Sequence, residues 1–89
     1  MATDVYSLTA EQVARAVCQG RLMRWQAAMA CSEIDGITVM QCCLNDIEEF
    51  LADVEGLCED AGDRQLVRRA LPSLYYCNSL ARYFKHWGP

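Results

Sequence analysis

The 89-residue sequence predicts an all-α fold, a small antiparallel three-helix bundle that forms a single domain over residues 1–89. Three observations carry this expectation. Apolar residues recur at the 3.6-residue helical period over about 9–31, 38–60 and 64–87, and no segment reads as a strand. Each segment opens on residues suited to capping a helix. The connections, 33–37 and 61–63, are short enough to make neighbouring helices antiparallel.

The first helix starts at Thr9, whose spacing to Gln12 fits a capping box in which each side chain satisfies the other's orphaned amide. Ala10, Val13, Ala14, Val17, Cys18, Leu22, Trp25, Ala28 and Met29 then fall on one face, with Arg21 among them. An arginine there packs its stem and carries its head outward, or anchors a carboxylate at an interface. Ile34-Asp35-Gly36 supplies the turn.

The second helix repeats the capping spacing at Thr38 and Gln41. Met40, Cys43, Leu44, Ile47, Phe50, Leu51, Val54, Leu57 and Cys58 make its apolar stripe, and Gly62 suits the left-handed residue that closes it. Asp63 caps the third helix, which is kinked or broken at Pro72, because a helical proline removes one hydrogen bond and presses on the carbonyl four residues back. Beyond it Leu74, Cys77, Leu80, Ala81 and Phe84 keep one face apolar.

Charge is laid out in blocks. Residues 25–63 hold ten acids and no Lys or Arg, while all eight basic residues lie outside, for a formal net charge of −4. Such blocks steer a partner or pair within one fold. The acidic balance argues against nucleic acid as a ligand, since phosphate binding needs clustered Lys and Arg. No stretch approaches the roughly 18 uncharged apolar residues of a membrane span. The first residues lack the basic and apolar regions of a secretion signal, so a cytoplasmic location is expected. Seven Arg against one Lys, with eleven Ala, carry the compositional mark of GC-rich coding, as in many bacteria and phages.

Six cysteines admit two readings. Cys18, Cys43, Cys58 and Cys77 lie on apolar stripes, where free cysteine behaves as a small hydrophobe. In a secreted chain the same count reads as three disulfides. No C-x-x-C occurs and His86 is the single histidine, so neither a zinc site nor a dithiol motif is expected. Cys42 points away from its stripe, to solvent or to a partner.

Five of the eight aromatic residues crowd the segment from Leu74 to Trp87. With Phe84 inward, Tyr75 and Tyr83 face out and Tyr76 and Trp87 lie at the margin. Together with Arg82 they have the composition that dominates interface energy. Glu48, Glu49 and Asp53 add an acidic face on the second helix. No cofactor motif, phosphate loop or assembled nucleophile and base is present, so no enzyme is expected.

These features combine as a small acidic helical module that binds another protein, with a basic or apolar surface, by occlusion or bridging. An adaptor, a chaperone-like cap, an inhibitor, a phage or bacterial regulator and a nucleic-acid mimic all belong to this class. The expected interface is Tyr75, Tyr76, Arg82, Tyr83, Trp87, Glu48, Glu49, Asp53 and Cys42, and 53% apolar residues leave room for a homodimer. The alternative is a secreted, disulfide-stapled helical ligand or receptor-ectodomain module.

Overall fold

The computed structural model describes residues 4–18, 33–79, 83 and 85. Among them run a 3₁₀ turn, Val5–Ser7, and three α-helices: α1, Ala10–Cys18; α2, Gly36–Glu55; and α3, Ala61–Cys77. There is no strand among the described residues, only an isolated antiparallel bridge between Asp4 and Ser79. The expected remainder of the first helix, residues 19–31 with Arg21 and Trp25, lies outside the described residues.

α1 begins as its sequence dictates. The Thr9 N–H donates to Gln12 Oε1 at 2.9 Å and the Gln12 N–H to Thr9 Oγ1 at 3.2 Å, a reciprocal capping box. Val13, Ala14, Ala16, Val17 and Cys18 are buried.

α2 starts three residues earlier than the Thr38–Gln41 spacing implies, because Asp35 caps it. The Asp35 carboxylate accepts the Thr38 N–H at 2.9 Å. Hydrogen bonds from the Thr38 side chain and backbone hold that carboxyl below its usual range. Gly36 follows because nothing larger fits: a Cβ there would fall on the Val5 carbonyl, and the Gly36 N–H donates to the Leu8 carbonyl at 2.9 Å.

The second helix also ends early, at Glu55 with Gly56 as C-cap, and Gly62 is not its closing residue. Arg64 braces the link that follows. Its Nε donates to the Cys58 carbonyl at 3.2 Å and its Nη2 to the Glu59 carbonyl at 2.9 Å, satisfying the link that leaves α2. Asp60, rather than Asp63, caps α3 by accepting the Gly62 and Asp63 N–H groups at 3.0 and 3.3 Å.

Two interruptions differ from expectation. Pro72 lies inside α3 without breaking it; the helix runs to Cys77 and stops at Asn78, whose left-handed backbone (φ 57°) forms the C-cap. The break falls instead in α2, at Asp46, where φ −158° and ψ 93° leave helical geometry. There the Asp46 carboxylate accepts the Glu49 N–H at 3.2 Å, so it serves as an N-cap in mid-helix.

Residues 4–8 act as a strap. The Val5 N–H donates to the Asn78 carbonyl at 3.3 Å, while Leu8 accepts from Gly36. The start of α2 and the end of α3 therefore meet at one strap, which fixes the two helices as antiparallel. α2 packs most extensively on α3, the 3₁₀ turn lies on α2, and α1 packs on α3. Val5, Val13, Val17, Val39, Val54, Val67, Leu71 and Leu74 are fully buried, each contributing about 1.5–3 kcal/mol by leaving water. No charged or polar side chain is buried among the described residues. None of the described helices is long and apolar enough to cross a membrane.

Candidate functional site

Two shallow grooves flank α2. The first is apolar and aromatic. Met40 and Leu44 from α2, Tyr75 and Tyr76 from the last turn of α3, Asn78 beyond it and Tyr6 from the strap enclose about 230 Å³. Local chemistry explains each position. Val5 is drawn into the core, so its neighbour Tyr6 points out and stays 52% exposed. Leu44 sits at the edge of the α2 stripe and is 77% exposed, against its expected burial. Tyr76 is 69% exposed and meets the half-buried Tyr75 edge-on, ring centroids 5.0 Å apart.

The second groove is acidic and encloses about 200 Å³ between Cys42, Asn45, Asp46, Glu49, Phe50 and Asp53. Of the acids predicted on this helix, Glu49 and Asp53 lie here with Cys42, which is half-buried. Glu48 lies apart. It receives Arg68 Nη1 at 3.0 Å, while Arg68 Nε donates to Glu55 at 2.7 Å. Those two carboxylates raise the Arg68 pKa and tie the second half of α2 to α3. The basic block thus neutralises part of the acidic block within the fold.

Tyr83 does not belong to either groove. It is fully buried, and its hydroxyl donates to the Ala16 carbonyl at 3.1 Å, so its expected outward position is corrected. The cause is Asn78: a left-handed residue resets the helical phase, and the Tyr83 N–H donates to the Ser79 carbonyl at 3.0 Å. Arg82 and Trp87 lie outside the described residues. Tyr6, Leu44, Met40 and Asn78, and on the acidic side Asn45, Asp46 and Phe50, are lining residues absent from the sequence-based expectation.

Cys42, Cys43, Cys58 and Cys77 carry free thiols, so these four join no disulfide. Burial pushes Cys43 and Cys58 up to about 11, with the neighbouring Cys42 and the Asp63 charge respectively adding to it. Both are inert thiols rather than nucleophiles at neutral pH. Among the described residues no three His, Cys, Asp or Glu side chains group as a metal ion requires. Both grooves fall below the roughly 300–1,000 Å³ of a typical small-molecule site, and lie open to solvent.

Compared with known protein families, characterised proteins and solved structures, the chain matches none.

Proposed function

We propose that this chain is a small protein-binding module that acts by occluding or bridging another protein, with the Tyr6–Leu44–Tyr75–Tyr76 groove as its contact surface. One observation carries the reading. Among the described residues four large apolar side chains are left exposed, and three of them, Tyr6, Leu44 and Tyr76, line one groove instead of scattering. Aromatic side chains at such a surface supply affinity at low conformational cost. The acids of the opposite flank of α2, Asp46, Glu49 and Asp53, contribute orientation and on-rate toward a basic partner rather than affinity.

The test compares tagged wild type with Tyr76→Ala and Leu44→Ala in pull-downs eluted by a salt gradient, alongside sedimentation of each protein alone. A partner held by wild type and lost by both variants, with unchanged circular dichroism, supports the proposal. Self-association that disappears with the variants assigns the groove to a homodimer. Equal retention by all three proteins sinks the groove as the contact surface.

A further inference from the structure

We propose that α2 is a two-state helix latched at Asp46, and that the latch sets the shape of the aromatic groove. This rests on the backbone and core, not on the identity of any partner.

Helix interruptions have a short list of causes: proline, glycine or serine pairs, π-bulges, or a side chain inserted into the hydrogen-bond ladder. The stretch from Cys43 to Glu49 contains no proline, glycine or serine. What is present is the Asp46 carboxylate accepting the Glu49 N–H at 3.2 Å. In a continuous helix that amide would bond the Asn45 carbonyl. The side chain offers this amide an acceptor of its own, as aspartate does when it competes with helix.

The core does not demand the break. Val39 and Phe50, Met40 and Leu51, and Cys43 and Val54 are buried pairs each eleven residues apart, close to three turns of an uninterrupted helix. A straight α2 would bury the same face. Two arrangements of one segment are thus compatible with the core, and a side-chain hydrogen bond selects between them.

The two halves are held by different neighbours. The first half is tied to the strap through Gly36 and Leu8, and carries Met40 and Leu44 of the groove. The second half is tied to α3 through Glu48, Glu55 and Arg68. Tyr75 and Tyr76, the opposite wall, belong to α3. Straightening at Asp46 therefore moves one wall of the groove against the other.

The experiment is a set of Cα chemical shifts across residues 43–49, with Leu44 methyl and Tyr76 ring contacts, in wild type, Asp46→Ala, Asp46→Glu and Asp46→Asn. Wild type and Asp46→Asn should show an extended-type shift at residue 46 between helical neighbours, because asparagine caps as well as aspartate. Asp46→Ala should turn helical there and change the Leu44–Tyr76 contacts. Asp46→Glu keeps the charge but fits the cap poorly; it should also turn helical, and stands in if the alanine variant does not fold. A helical shift at residue 46 in wild type overturns the latch. So does an extended shift that persists in folded Asp46→Ala or Asp46→Glu. Helical variants with unmoved Leu44 contacts overturn the coupling to the groove.

Discussion

α3 carries a proline in mid-helix and continues; α2 carries none and leaves helical geometry at an aspartate. The difference shows that a helix yields where a replacement partner for its amides is at hand, not simply where its propensity is worst. Around Pro72, Leu71 and Leu74 are fully buried, and Arg68, four residues back, is pinned by two carboxylates of α2. Leaving the helix there would sacrifice packing on both sides of the proline. Around Asp46, the carboxylate offers a substitute acceptor and the exposed side of α2 lets it turn.

Removing the packing beside Pro72 tests this most severely. Leu74→Ala should lower the unfolding free energy in urea by about 2–5 kcal/mol, the cost of a core leucine. A loss well below that range would mean the proline turn does not depend on its buried neighbours. Pro72→Ala should act in the other direction and raise stability by about 2 kcal/mol, the roughly 3 kcal/mol propensity difference less the freedom alanine returns to the unfolded chain. An unchanged midpoint would show that the turn is already relaxed around the ring.

At the entrance to α2 the expected effect is smaller and depends on pH. Its hydrogen bonds from Thr38 hold the Asp35 carboxyl below its ordinary value in the folded chain, so its contribution is complete above that ordinary value. It is lost as the pH falls through the lower folded value. Urea midpoints between pH 5 and 2 should therefore decline less steeply for Asp35→Asn, which keeps a cap but cannot titrate. Parallel curves would remove Asp35 from the acid response. The smallest effect concerns adjacent thiols within the first half of α2. At pH 8 Cys43 and Cys58, at about 11, are ionised to only about one part in a thousand. Iodoacetamide followed by peptide mass mapping should label Cys42 ahead of Cys43, and equal labelling of the two would mean that this half opens.

The same contrast explains what was legible in the sequence. Periodicity and the Thr9–Gln12 spacing place the helices and the cap of α1, because both are local. Pro72 is a local liability as well, but its outcome is decided by tertiary packing, which periodicity does not report. The break at Asp46 had a signal: Asp46 and Glu49 have the spacing of a capping box, here inside an apolar stripe strong enough to conceal it. For Tyr83, phase carried across Asn78 pointed outward, and one left-handed residue makes such an extrapolation meaningless. Of the candidate site, Tyr75 and Tyr76 and the trio Cys42, Glu49 and Asp53 share grooves, whereas Tyr6 comes from a strap that only the folded chain brings to α3.

That strap has a consequence for assembly order. The Val5 N–H waits for the Asn78 carbonyl, and the Ala16 carbonyl for the Tyr83 hydroxyl, 67 residues later in sequence. During synthesis the α2–α3 hairpin can form as soon as its own residues emerge, whereas the Val5 N–H finds its partner only after position 78 has been made. Closing such a distant pair carries a larger entropic cost than closing the hairpin. A nascent chain halted before residue 78 would therefore lack both of these long-range bonds, with its strap held to α2 alone.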